Sequence, residues 1–197
     1  PEVETTTRGL RKTITSLIIK DVWTDLSTKD KRQSNAVANP KFFYIFRKEI
    51  KNKKILSVER RAKNILINLS NGKTILIHMK MTGHLLYGKY KFIKKTNKWM
   101  PAEDGPLHDP FNRFVHIVFT FSNNKHLAFS DARKFGKITL LDTALMHESS
   151  HLKNIGPEPL DNKFKLENFV QRLNLYKNRK IKTALLDQNI IAGIGNI

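Results

Sequence analysis

The sequence predicts an α+β protein: an N-terminal helix, an antiparallel β-sandwich, and a second, helical domain. Three observations predict it. Val3, Leu10, Ile14, Leu17 and Ile18 form a helix stripe at the start of the chain. From Ile55 to Leu141, short apolar runs alternate with turn residues, and successive hairpins with few helices between them imply a sandwich. After Leu141 the periodicity becomes helical, and Gly156-Pro-Glu-Pro-Leu160 punctuates the change. Residues 1–145 therefore read as the first domain and residues 146–197 as the second.

The first helix is expected to run to about Lys20. Glu2 and Glu4 suit its positive N-terminal end, and Arg11 and Lys12 follow them. Ile18 to Leu26 reads as a strand with a polar face, Lys29 to Arg32 as a loop, and Phe42 to Phe46 as a short packed segment, strand or helix. Strands are expected at Ile55–Arg60, Asn64–Leu69 and Thr74–Met79. The last two are joined through Asn71-Gly72, the strongest short hairpin signal. Further strands follow at Leu85–Tyr90, Arg113–Phe121, His126–Phe129 and Lys137–Leu141, with Asn123-Asn124 as a turn. The lysine-rich, proline-bearing connection from Phe92 to Pro110 reads as a solvated loop. In the second domain, Phe164–Leu175 reads as a helix with Phe169, Val170 and Leu173 on its apolar side and Asn162 as N-cap. Lys182–Gln188 reads as another, with Ile181, Leu185 and Leu186 at helical spacing. Gly193-Ile-Gly-Asn196 then breaks the apolar run. Such a turn presents main-chain N–H groups beside an amide side chain, which suits a phosphate.

Lys+Arg 36 against Asp+Glu 17 gives a net charge of +19 over 197 residues. An excess of that size repels itself in a compact fold and fits a polyanionic partner, with nucleic acid first and an acidic membrane surface second. No apolar run is long enough for a membrane span or a signal peptide. The absence of cysteine excludes disulfides and cysteine zinc sites within these residues and fits a cytoplasmic location.

Several short segments carry chemistry. Arg60-Arg-Ala-Lys63 is a basic turn between strands, suited to phosphates. Ile77-His-Met-Lys-Met-Thr-Gly83 ends a strand with a methionine beside a glycine, and an exposed, unbranched apolar side chain there can act as a wedge between bases. Ser130-Asp-Ala-Arg-Lys-Phe-Gly136 offers a guanidinium fork for a base edge and a ring for stacking. Taken together and in this order, these segments resemble the formamidopyrimidine-DNA glycosylase family. Lys180–Asn196 resembles the first half of that family's helix–two-turn–helix, Arg60–Lys63 its Arg-Arg-x-Lys, Ile77–Gly83 its Ile-His-x-x-Met-[Ser/Thr]-Gly, and Asp131–Gly136 its Asp-Pro-Arg-Arg-Phe-Gly. Ala132 and Lys134 are mild departures, and Phe114 replaces the first histidine of the family's His-x-His.

The resemblance implies that the complete protein is a bifunctional DNA glycosylase/AP lyase. It would flip 8-oxoguanine or formamidopyrimidines out of double-stranded DNA, form a Schiff base at C1′, and finish by β,δ-elimination. It implies Met81, Arg133 and Phe135 as the residues that enter the duplex. Lys63 would contact DNA and serve elimination. His78, His116, Lys177, Lys182 and Asn196 would be further DNA contacts. Pro1-Glu-Val-Glu-Thr5 matches the inner Pro-Glu of the family's opening, because Val follows Glu2. The nucleophilic proline and acid/base glutamate are therefore expected upstream of Pro1; the other alignment puts the nucleophile on Pro1 itself. The chain thus reads as an inactive piece of a longer monomer, with no cofactor of its own. Zinc is expected in a C-terminal finger outside it. The alternatives are a nucleic-acid-binding protein without catalysis, such as a ribosomal protein with the same helical motif, and the endonuclease-type branch acting on oxidised pyrimidines.

Overall fold

The computed structural model describes residues 2–195. Helix α1 spans Glu2–Ile14 and ends earlier than its apolar stripe suggests. Ser16 adopts φ 70°, and its N–H donates 2.9 Å to the Ile55 carbonyl, turning the chain into strand β1, Ile19–Thr24. Helix α2, Pro40–Ile50, settles the strand-or-helix choice around Phe42. Asn39 caps it by accepting from the N–H groups of Lys41 and Phe42, and Pro40 sits where its missing N–H is harmless.

The strands follow as β2 Ile55–Arg61, β3 Asn64–Leu69, β4 Lys73–His78, β5 His84–Gly88, β6 Tyr90–Ile93, β7 Lys98–Pro101, β8 Val115–Phe121, β9 His126–Ser130 and β10 Lys137–Asp142. They form two antiparallel four-stranded sheets, β1-β8-β9-β5 and β10-β4-β3-β2. The Asn71-Gly72 turn forms between β3 and β4, with Gly72 at φ 72°. Ile65, Ile67, Ile75 and Ile77 face Ile117, Phe119, Leu127 and Phe129 across the sandwich, and Leu10, Ile14, Phe46 and Ile50 bring both helices into the same core.

The expected loop from Phe92 to Pro110 is instead partly ordered as the β6–β7 hairpin. The cause is apolar surface on the outside of the first sheet. Val118 and Ala128 point outward there, and Tyr90, Trp99 and Leu107 cover them. On the outside of the other sheet, Leu66 and Leu76 are covered by Leu152.

Helix α3 spans Leu166–Asn174 and α4 Ile181–Leu186. Lys165, not Asn162, is the N-cap of α3, without a side-chain cap bond. Phe169, Val170 and Leu173 do not reach a core, since α3 buries none of its residues. Ile181 is also exposed, and the packing beyond it comes from Ala184, Ile190, Ile191 and Ala192.

Candidate nucleic-acid interface

The two segments read as wedges lie side by side because of the sheet order. The β4–β5 connection crosses from one sheet to the other, and the β9–β10 connection crosses back. Since β4 pairs with β10 and β5 with β9, both crossings fall at one end of the sandwich. His78 opposite Lys137 and His84 opposite Ser130 mark that end.

Asp131 ties the crossings together. It is fully buried. Its Oδ1 accepts the Thr82 hydroxyl from the first loop and the Arg133 N–H (3.2 Å) from its own, while Oδ2 accepts the Gly136 N–H at 2.7 Å. Its own N–H donates 2.9 Å to the Phe114 carbonyl. Phe129 sits beneath both loops. A Cβ on Gly83 or Gly136 would lie 2.6 or 2.3 Å from its ring, so only glycine permits this approach.

Over that base, Met81 is 81% exposed and Phe135 54% exposed. Arg133 joins them: its Nη1 lies 3.4 Å from the Met81 sulfur, and its Cζ lies 4.7 Å from the centroid of the Phe135 ring. A thioether, a guanidinium and an aromatic ring thus form one exposed cluster on a fixed footing.

Basic groups crowd the same end. Lys63 follows Ala62 (φ 53°) in the β2–β3 turn, His78 closes β4, and Lys80 takes φ 60°. Burial pushes the Lys63 amine below its ordinary range. His78 is held down to about 4, first by burial and then by the charges of Lys80 and Lys63. Its Nδ1 also accepts the Lys80 N–H at 3.1 Å, a bond that protonation there would remove. Burial and then Lys137 and Lys80 lower His151, while burial and then Lys80 lower Lys137. Bringing a phosphate here would relieve this mutual repulsion.

The low value has a consequence for folding. In the unfolded chain His78 takes up a proton near pH 6.5; in the folded chain it does so only near 4. The stability present above pH 6.5 is therefore lost as pH falls towards 4, by about 2–3 kcal/mol. His78→Asn, which keeps an acceptor for Lys80, should remove that part of the acid loss when denaturant midpoints are compared at pH 7.5 and 4.5. An unchanged difference between the two pH values would contradict the reading.

The segment that follows β10 is fastened to this end through Glu158. Its carboxylate accepts from Arg60 Nη1 (2.8 Å), Arg61 Nη1 (3.2 Å) and the Ala62 N–H (2.5 Å). Arg61 also donates to the carbonyls of Ile155 and Gly156 at 2.9 and 2.8 Å. The turn at Gly193 (φ 87°) is held by Gln188, whose Oε1 accepts the Gly193 N–H and whose Nε2 donates to the Ile194 carbonyl, both at 2.9 Å. A Cβ on Gly195 would lie 3.8 Å from Lys63 Nζ, so the basic turn and the glycine turn face each other.

Other expected contacts lie apart from the cluster. His116 sits in the β8 bulge, largely buried, with Nδ1 2.8 Å from Asp25. Lys177 and Lys182 are exposed on the segment before α4 and on α4 itself. Pro1 and Asn196 lie outside the described residues. Among the described residues, no group of acidic residues and histidines could hold a metal, so the zinc implied by the resemblance has no ligand set here. Asp131, Glu158 and Gln188 are the residues the sequence reading passed over. An aspartate closing an apolar strand, five residues before a glycine, was the available signal for the first.

The exposed cluster on the paired crossings and the glycine turn beside Lys63 thus belong to one surface region of the chain. A family model described as the formamidopyrimidine-DNA glycosylase N-terminal domain matches residues 1–138, and one described as the formamidopyrimidine-DNA glycosylase H2TH domain matches residues 155–197. The chain belongs to the formamidopyrimidine-DNA glycosylase family. It is 36% identical to the formamidopyrimidine-DNA glycosylase of Pelotomaculum thermopropionicum and 34% identical to that of Ligilactobacillus salivarius, over 197 residues each. It covers 100% of itself and 62% of each of these relatives. Among solved structures it resembles the Lactococcus lactis Fpg in complex with abasic-site DNA, at 27% identity and TM-score 0.76, over 100% of this chain and 62% of that one. The Lactococcus lactis Fpg complex with FAPY-dG DNA gives the same identity and TM-score, with 64% of that chain covered.

Proposed function

We propose that the complete protein carrying this chain is a DNA glycosylase/AP lyase that removes oxidised purines, 8-oxoguanine and formamidopyrimidines, from double-stranded DNA. The observation that carries this is the exposed Met81–Arg133–Phe135 cluster on its Asp131 footing. The structures it resembles, which are complexes with abasic and FAPY-dG DNA, support the same choice of partner.

The chemistry follows from a target hidden in a base stack. Extruding a nucleotide costs a few kcal/mol, roughly, in lost stacking and pairing. Met81 and Phe135 fill the space it leaves, and Arg133 offers donors to the widowed base. Lys63 and His78 take the phosphates beside the lesion, with the Gly193–Gly195 turn opposite; Asn196, His116, Lys177 and Lys182 are further DNA contacts. An amine nucleophile attacks C1′ and expels the base as a Schiff base forms, and Lys63 assists elimination at the neighbouring phosphates. Because Val3 follows Glu2, Pro1-Glu2 answers to the family's inner Pro-Glu pair, so neither is the nucleophile or its acid/base and residues 1–197 alone are inactive. The protein works as a cytoplasmic monomer, and the zinc belongs to a finger outside these residues.

Borohydride trapping on an 8-oxoguanine duplex tests the assignment. The full-length protein should yield a covalent protein–DNA adduct, and a chain of residues 1–197 should yield none. An adduct on the short chain would move the nucleophile to Pro1. No adduct on the full-length protein would remove the lyase assignment.

A further inference from the structure

We propose that the β6–β7 hairpin is a second cationic surface, which takes the phosphate backbone of duplex DNA outside the stretch entered by Met81, Arg133 and Phe135. This rests on the DNA-binding function proposed above. The hairpin has two unlike faces. Phe92 is opposite Trp99 in the register, and Tyr90 lies on the same face. That face carries the hairpin's packing: Tyr90 is buried, while Phe92, itself 37% exposed, meets Trp23 at 6.0 Å and Trp99 at 5.5 Å, and Trp99 meets His126 at 4.8 Å. His126 is on β9 and Trp23 on β1, so the hairpin lies across the outside of the first sheet, held through Tyr90, Phe92 and Trp99.

The other face carries Lys91 opposite Met100 and Ile93 opposite Lys98, and the turn adds Lys94 and Lys95. All four lysines are exposed. Among the described residues none of them is within an ion pair. The nearby Glu103 is engaged elsewhere, accepting the Lys89 N–H at 3.0 Å. A ribbon with four exposed, unpaired cations and no carboxylate of its own carries a positive potential that attracts a polyanion. A duplex supplies one charge per ~1.7 Å of axis, dense enough for each lysine to find a phosphate. The contact reads no sequence and no lesion, so it adds affinity everywhere on the duplex.

The test uses the full-length protein with all four lysines changed, K91Q/K94Q/K95Q/K98Q, on 30-base-pair and 12-base-pair duplexes, intact or with an abasic analogue. On the long duplexes the slope of log Kobs against log salt should fall in magnitude by about 2–4, equally for intact and damaged DNA. On the short duplex the variant and the wild type should coincide. The melting temperature should not move; if it does, the turn-only variant K94Q/K95Q should still lower the slope by about 1–2. An unchanged slope on the long duplex overturns the proposal, as does an equal change on the short one. So does loss of binding to phosphatidylserine vesicles with the DNA slope intact, which would assign the face to a membrane. Met81→Ala serves as the contrast: it should lose preference for damage at constant slope. Failure of that arm alone would count against the wedge and leave the hairpin standing.

Discussion

Asp131→Ala should release both crossing loops at once and markedly destabilise the sandwich. The carboxylate is buried and receives Thr82, Arg133 and Gly136 at once. Removing it strands the Gly136 N–H and the Thr82 hydroxyl beside the Phe129 ring. Unsatisfied buried groups cost about 1–3 kcal/mol each, so a total loss of about 3–5 kcal/mol is expected. For a chain of this size that corresponds to a drop in melting temperature of roughly 6–20 °C. Asp131→Asn separates the roles. Its one oxygen can serve the Thr82 side or the Gly136 side, while its amide presents a donor to the other. It should cost about half as much, roughly 1.5–2.5 kcal/mol. Both variants should lose preference for a damaged duplex by more than tenfold, since Met81 and Arg133 are then held by separate loops. Calorimetry and competition binding measure the two effects. Full stability in Asp131→Ala would show that the loops are fixed by something else.

Glu158→Ala is the second. Arg60 keeps Glu4 and Arg61 keeps two carbonyls, but both half-buried guanidinium groups lose the carboxylate between them. Breaking one side of such a partly buried pair costs about 2–4 kcal/mol, on the scale of 3–5 for a fully buried one. The loss should be local. Hydrogen exchange should quicken at 155–158 and 188–195, where Gly156 and Ala192 are tied to Gln188 and Pro157, while β8 and β9 stay protected. Glu158→Gln, which retains the shape and one acceptor, should restore most of the protection. Uniform exchange across the chain would mean that Glu158 serves the whole core and does not fasten the segment that follows β10.

Much of this was legible in the chain itself. The central strands, buried on both faces, show as short apolar runs, and Asn71-Gly72 fixes one hairpin. The family motifs single out Met81, Arg133 and Phe135, and the structure brings these three into one exposed cluster. The β6–β7 hairpin was hidden by its lysines and prolines, although Tyr90-Lys91-Phe92 and Lys98-Trp99-Met100 alternate. What such alternation cannot tell is that Val118 and Ala128, far along the chain, leave a face needing cover. Glu158 was illegible for the same reason. Its partners lie 96 to 98 residues away, and nothing local marks a glutamate between two prolines as an anchor. His116 and Asp25 are a similar case, a part-buried pair from β8 and the residue after β1. Helix α3 is the opposite case: the helix and its apolar side are plain in the sequence, yet among the described residues that side has no core to enter.

The most direct test is a crystal structure of the full-length protein on a duplex containing a stable abasic analogue. The account requires the Met81 side chain and the Phe135 ring to lie within the base stack, with the Arg133 guanidinium on the unpaired base and the damaged sugar turned outward. A complex in which those three side chains remain in solvent while the helix passes undistorted along another face would contradict it.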